Sequence, residues 1–164
     1  MKLQCLVLVL IAVTPSVFAA EGEDGAPKQP LDFSHRRHVM DLKQPCKLCH
    51  PNLDPGEMMG LPEVSTCMQC HSAIAPKTTA ERKLAAFAKQ NRDADWVRIY
   101  QIPTYVRFDH RQHLAAGAKC ETCHGKAAER DRLWLEKGVS MGDCVRCHQA
   151  SRASLDCASC HEPK

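Results

Sequence analysis

Hydrophobic residues follow a regular pattern in only a few stretches of this chain of 164 residues. The longest is an almost unbroken apolar run over residues 3–13, which follows Lys2 and leads to the small residues before and at Ala19. This arrangement predicts a secretory signal peptide over residues 1–19, cleaved after Ala19. The run is shorter than the ~20 residues of a membrane-spanning helix, so an uncleaved anchor is the less favoured alternative. We therefore expect an exported protein, located in the periplasm of a bacterium.

Two further stretches carry a pattern of apolar and polar positions. Residues 78–90 have an apolar stripe at helical spacing, and Thr78 with Glu81 can form a capping box, so they predict a short helix. Residues 96–108 alternate apolar and polar positions around Pro103, which predicts a small hairpin or an extended strap. The remainder has little periodicity, and we expect short helices and loops with little regular secondary structure.

The distribution of cysteine changes this picture most. Of 11 cysteines, Cys5 lies inside the predicted signal peptide, and the other ten form five copies of Cys-x-x-Cys-His. The five copies are Cys46, Cys49 and His50; Cys67, Cys70 and His71; Cys120, Cys123 and His124; Cys144, Cys147 and His148; and Cys157, Cys160 and His161.

This motif is typical of c-type haem attachment, because two thiols can form thioethers to one edge of a haem while the adjacent histidine binds its iron. The alternatives are zinc sites and disulfide bonds. A zinc site would use the two thiolates without needing the adjacent histidine all five times, and disulfides would leave that histidine unexplained. The sequence therefore predicts five covalently bound haem c groups, held by ten cysteines and five proximal histidines.

The four remaining histidines lie in two phrases that echo each other, "FSHRRH" at residues 33–38 and "FDHRQH" at residues 108–113. They are His35, His38, His110 and His113. If each phrase is helical, histidines three residues apart lie on one face, about 60° apart around the axis. Each can then bind a different haem iron as its distal ligand. We call each phrase a histidine clamp, and we expect the two clamps to serve four of the five haems.

The fifth haem needs a distal ligand that histidine does not provide, and methionine sulfur is the usual substitute. Met141, which precedes the Cys144 motif, is the favoured candidate. Met58 and Met59, in a loop rich in proline and glycine, are the second. An open or water-ligated iron is the remaining alternative.

The order of clamps and motifs divides the chain into two repeats. After a flexible leader at residues 20–30, we predict a dihaem module at residues 31–77, a helix and strap linker at 78–107, and a trihaem module at 108–164. We call residues 31–77 the first repeat and residues 108–164 the second repeat. Each contains one clamp, whose first residue is aromatic, followed by its motifs.

The charge of the polypeptide is a poor guide to its partners. The formal net charge is +3, with a sequence pI near 8.3. Loss of Lys2 and the addition of two propionates for each of five haems bring the mature protein to about −8. We therefore expect no nucleic acid partner.

The second repeat resembles the trihaem cytochromes of the c7 type, within the cytochrome c3 superfamily, through "FDHRQH", "CETCH", "MGDCVRCH" and "CASCH". The resemblance implies a c3/c7-like multihaem fold of short helices and loops wrapped on haems. It also implies that His110 serves the His124 haem and His113 the His148 haem. The position before Cys144, here Met141, then serves the His161 haem.

The whole mature chain resembles more specifically the pentahaem subunit of alternative complex III and its relatives, through "GLPEVSTCMQCH", "WVRIYQIPTYVRFDHRQH" and "AGAKCETCHG". That resemblance implies electron transfer from quinol, beside an iron–sulfur subunit and an integral membrane quinol-binding subunit, to a monohaem cytochrome or an oxidase. We expect an electron-transfer protein without catalysis of its own, attached to the membrane through partners or an uncleaved N-terminus. The alternatives are a soluble periplasmic shuttle and, less favoured, a multihaem reductase of a small oxyanion or hydroxylamine.

Overall fold

The computed structural model describes residues 25–52 and 56–161. The predicted signal peptide lies outside the described residues. Within them the chain forms short helices joined by long irregular segments, and no strand is present among these residues. The helices are α1 (Cys46–Cys49), α2 (Val64–His71), α3 (Thr79–Lys89), α4 (His110–Ala115), α5 (Cys120–His124), α6 (Met141–Ser151) and α7 (Cys157–Cys160), with a π-helical turn at Arg37–Asp41 and a 3₁₀ turn at Ala127–Glu129.

Every Cys-x-x-Cys-His motif lies on one of these helices. Helices α1 and α7 span the two cysteines of their motifs, with His50 and His161 as the C-cap residues, and α5 spans its whole motif. In α2 and α6 a preceding turn extends the helix. Side chains fix where several helices begin. Ser140 forms a capping box with Asp143 at α6, and Asp156 accepts a hydrogen bond from the amide of Ala158 at α7. Local sequence therefore places each motif on a helical turn.

The helix predicted within residues 78–90 is confirmed as α3. The Thr78 side chain accepts a hydrogen bond from the Glu81 amide, while the Glu81 carboxylate accepts one from the Thr78 amide, as a capping box requires. The apolar stripe of α3 packs against α2. The resulting core of buried side chains is small, and its members are Leu31, Val64, Leu84 and Phe87.

The alternative of a hairpin over residues 96–108 is wrong, because the segment is an extended strap that pairs elsewhere. Val106 forms an isolated antiparallel bridge with His161, and the amide of Arg107 donates to the carbonyl of Cys160 at 2.8 Å. Alternation of apolar and polar residues is compatible with any extended segment, and here the strap pairs with the last motif instead of with itself.

The two repeats also exchange contacts through their clamps. In the first clamp, the amide of Arg36 donates to the carbonyl of Arg130 at 2.9 Å, and the Ser34 hydroxyl donates to Asp131. In the second clamp, the amide of Arg111 donates to the carbonyl of Gly56 at 3.3 Å. Each clamp therefore contacts the opposite repeat.

None of the helices within residues 25–52 and 56–161 has both the length and the apolar character needed to cross a membrane.

Candidate functional site

Each clamp histidine faces a histidine of one Cys-x-x-Cys-His motif. The distances between the ring centres fall in a narrow range. They are 6.3 Å for His35 and His50, 6.2 Å for His38 and His71, 6.3 Å for His110 and His124, and 6.1 Å for His113 and His148. In the second repeat these are the pairs that the resemblance to c7 cytochromes implied.

This separation fits one metal ion between the two rings of each pair. A metal–nitrogen bond to imidazole is about 2 Å long and the ring centre lies about 1 Å behind the nitrogen, so two rings on opposite sides of one metal have centres about 6 Å apart. Rings in direct contact would lie closer together. The polypeptide therefore has four pairs of histidines at the spacing that haem iron requires.

The relative orientation of the rings repeats between the clamps. The first histidine of each clamp is nearly parallel to its partner, with interplanar angles of 2° for His35 and 4° for His110. The second is tilted, with angles of 39° for His38 and 48° for His113. Each clamp thus combines one parallel pair and one tilted pair.

A phenylalanine orients both histidines of each clamp. Phe33 lies edge-on to His35 at 4.9 Å and stacks on His38 at 4.4 Å between ring centres. Phe108 repeats this arrangement at 4.7 Å and 4.5 Å. The sequence places an aromatic residue in each phrase, but its pattern alone predicted no role for that residue. Its recurrence two residues before each first histidine was the signal that would have found it.

Backbone carbonyls fix the tautomer of several of these rings. The Nδ1–H of His38 donates to Ser34 at 2.9 Å, and that of His113 donates to Asp109 at 2.8 Å. Motif histidines have similar acceptors in Gly60 for His50, at 2.9 Å, and Ser154 for His148, at 2.7 Å. Because Nδ1 carries the proton, Nε2 remains available to a metal.

Burial lowers the pKa of two of the parallel-pair histidines, which favours the neutral form that binds iron. Burial, followed by the neighbouring His50 and His38, lowers the pKa of His35 to about 4. Burial, followed by His110 and His50, also lowers the pKa of His124. The Nδ1 atom of His35 is buried and has no hydrogen-bond acceptor among the described residues.

The cysteines show which motifs are neighbours. All ten cysteines from Cys46 to Cys160 are free thiols. Burial is the largest cause raising the pKa of five of them, and a cysteine of another motif raises it further. For Cys67 that cysteine is Cys49, and for Cys144 the nearby Asp143 contributes before the cysteine does. The neighbouring pairs are Cys49 with Cys70, Cys120 with Cys46, Cys123 with Cys147, and Cys144 with Cys160.

The last motif histidine, His161, has different surroundings. Its Nδ1–H donates to the carbonyl of Tyr105 at 3.4 Å, and the Tyr105 ring centre lies 6.2 Å from its own. Met141 is the first residue of α6, with 70% of its surface exposed. Met58 is 61% exposed, and it lies beside residues that contact His50 and His110. The assignment of Met141 to the fifth haem stays a prediction.

Among residues 25–52 and 56–161, no three or more histidine, cysteine, aspartate or glutamate side chains converge as a metal-binding group. Haem iron needs only two axial ligands from the protein, because the porphyrin supplies the others. The paired rings beside free thiols therefore suit haem c.

Comparisons with known proteins agree with this chemistry. The model of the class III cytochrome C family matches residues 15–99, and the model of cytochrome c7 and related cytochrome c matches residues 106–162. The chain belongs to the class III cytochrome c family and is a multihaem cytochrome of the c3/c7 type, which binds haem c covalently and transfers electrons. The c3/c7 resemblance and fold class inferred from the sequence are thus confirmed.

A relative matches most of this chain in sequence. The chain is 28% identical over 162 residues to the multiheme cytochrome c subunit of menaquinone reductase from Nitratidesulfovibrio vulgaris, covering 82% of this chain and 77% of that protein.

Proposed function

We propose that this chain is an exported pentahaem cytochrome, the electron-transfer subunit of a quinone-linked membrane complex. The observation that carries the proposal is the set of four histidine pairs with ring centres 6.1–6.3 Å apart, each containing one motif histidine. Five complete Cys-x-x-Cys-His motifs support the count of five haems.

In this proposal the cysteines of each motif fix one haem covalently and the motif histidine binds its iron. His35, His38, His110 and His113 bind four of these irons from the other side. When bound, each haem supplies an iron that accepts and releases one electron. Because both histidines of a pair would hold the same iron, these four sites would leave no position open to a small substrate. This argues for electron transfer and against the alternative of a reductase.

The neighbouring cysteines support an order of sites that differs from their order in the sequence. Neighbouring thiols connect the sites in one series. The order of the sites by their motif histidines is His71, His50, His124, His148 and His161. The pKa of His124 is also lowered by the nearby charge of His50, after burial and His110. We propose that electrons follow this order in one direction or the other, crossing between the repeats at the His50 and His124 sites.

For the fifth iron we retain Met141 as the proposed distal ligand, with Met58 or Met59 as the second candidate. A methionine ligand raises the reduction potential of a haem relative to bis-histidine ligation. His161 lies at one end of the proposed order, so the haem at that end would have the highest reduction potential of the five.

The relative's name supports the link to quinone, since it belongs to a menaquinone reductase. We propose that the chain exchanges electrons in the periplasm with an iron–sulfur subunit and an integral membrane quinone-binding subunit, and that these partners attach it to the membrane. A free soluble shuttle, with a monohaem cytochrome as its partner, is the alternative.

Haem content and ligation test the proposal together. We expect the mature protein to contain five haems per chain, and near-infrared magnetic circular dichroism to show one histidine–methionine band that disappears in Met141→Ala. Met40→Ala is the matched control and should retain the band. A count below five would refute the pentahaem assignment. A high-spin iron in the wild type would favour the reductase.

Purification from membranes tests the complex. We expect the chain to co-purify with a quinone-binding membrane subunit after mild detergent extraction. Recovery only as a monodisperse protein in the soluble periplasmic fraction would contradict the complex and favour the shuttle.

A further inference from the structure

Residues 56–60 contact a histidine of each repeat. The carbonyl of Glu57 accepts the Nδ1–H of His110 at 2.7 Å, and also the His110 amide at 3.4 Å. Three residues on, the carbonyl of Gly60 accepts the Nδ1–H of His50 at 2.9 Å. We call residues 56–60 the junction segment, because it joins a histidine of the first repeat to one of the second.

The junction segment is held from both sides. The side-chain amide of Asn52 donates to the carbonyl of Gly56 at 2.9 Å, and the amide of Gly60 donates to the carbonyl of Pro51 at 2.9 Å. From the second repeat, the amide of Arg111 donates to Gly56 at 3.3 Å. These bonds fix the segment between the two histidines.

Gly56 is required by this arrangement for two reasons. Its φ is +97°, in the region that residues with a side chain rarely adopt. A Cβ at this position would also lie 2.7 Å from Nε of Arg111. We therefore expect a side chain at Gly56 to strain the backbone of the segment and to alter its contact with the second clamp.

A hydrogen bond from Nδ1–H to a carbonyl orients an iron-binding imidazole and makes it a stronger electron donor, which favours ferric iron. We propose that the junction segment is a positioning element that sets the reduction potentials of the His50 and His124 sites jointly. The proposal rests on the proposed function in one respect, that His50 and His110 are axial ligands.

The ring angles should distinguish the His50 and His124 sites, as a pair, from the other two paired sites by spectroscopy. Both have nearly parallel rings, at 2° and 4°, while the His71 and His148 sites are tilted by 39° and 48°. Two parallel imidazole planes interact with the same iron d orbital and two crossed planes with different ones. Parallel pairs therefore give rhombic electron paramagnetic resonance (EPR) signals, and tilted pairs shift the largest g value upward.

The test is a redox titration of the holoprotein followed by low-temperature EPR, for the wild type and for Gly56→Ala and Asn52→Ala. The rhombic signals come from ferric haems and disappear on reduction. We expect Gly56→Ala to increase the ferrous-to-ferric ratio of the haems that give these signals about tenfold at a fixed potential. This corresponds to an upward shift of about 59 mV for one electron. Asn52→Ala should raise the reduction potentials of the same haems by less. The potentials of the haems with tilted histidine pairs should not change in either variant.

Gly117→Ala is the matched control. Gly117 also has positive φ, at +84°, but a Cβ there meets nothing within 4 Å, so the rhombic signals should titrate as in the wild type. If Gly56→Ala does not fold, Asn52→Ala decides alone. Unchanged rhombic potentials in the folded variants, or an equal shift in Gly117→Ala, would refute the junction segment's role. Absence of low-spin bis-histidine signals in the wild type would instead refute the proposed function.

Discussion

The two histidine clamps have nearly the same internal geometry in different surroundings. In the first clamp, the angles between the phenylalanine ring and the two histidine rings are 88° and 24°; in the second they are 90° and 27°. Both second histidines donate Nδ1–H to the carbonyl four residues earlier. The six-residue phrase is therefore enough to arrange an aromatic ring and two imidazoles.

The clamps differ in their helix type and in what lies outside the phrase. The first continues into the π-helical turn Arg37–Asp41, where the amide of Leu42 bonds to the carbonyl of Arg37. The second is the α-helix α4, capped by Asp109. His110 has the Glu57 carbonyl as an acceptor, and the equivalent His35 has none among the described residues. Contacts within each clamp are therefore local, whereas the hydrogen-bond acceptor of its first histidine depends on distant chain segments.

The largest effect on either clamp should come from substituting its first histidine. We expect His35→Ala and His110→Ala each to convert one low-spin iron to high spin, because each removes one axial ligand. The high-spin EPR signal, scaled to haem content, measures this. Gln112→Ala, on the exposed side of α4, is the control and should leave all signals unchanged. An unaltered low-spin count in either histidine variant would show that this histidine is not a ligand.

A smaller effect should follow from removing the phenylalanines. Both side chains are partly buried, so we expect Phe108→Ala to destabilise the holoprotein by about 2 kcal/mol. Phe33→Ala should cost about 1 kcal/mol more, because Phe33 also lies edge-on to Trp96, at 6.3 Å between ring centres. Guanidinium denaturation followed by haem absorbance measures the difference. Equal losses of stability in Phe33→Ala and Phe108→Ala would show that Trp96 does not stabilise the first clamp.

The smallest effect should come from the caps of the clamps. Asp109 accepts a hydrogen bond from the Arg111 amide at 2.7 Å, and Asp109→Ala should cost about 1 kcal/mol. Ser34 accepts one from the Arg37 amide at 2.9 Å and also donates to Asp131, so Ser34→Ala should cost slightly more. Thermal melts of these variants and of Asp109→Asn, which retains the cap, check the order. If Asp109→Asn lost as much stability as Asp109→Ala, the capping role of Asp109 would be contradicted.

The sequence alone determined the chemistry and several local structures. Five complete motifs and two clamps identify a multihaem cytochrome, because the two thiols and the histidine of each motif lie within five consecutive residues and the two histidines of each clamp lie three residues apart. The capping box at Thr78 predicted α3 correctly for the same reason, since all its bonds lie within one helical turn.

The tertiary structure decided what those local units contact. The strap beside Pro103 pairs with the last motif, far along the chain, and not with itself as the alternative of a hairpin required. The acceptor of His110 is a carbonyl 53 residues away. Every residue has a carbonyl, so no residue type marks the one that will accept this bond. Only the path of the folded chain brings Glu57 to His110, and with it the contact between the two repeats.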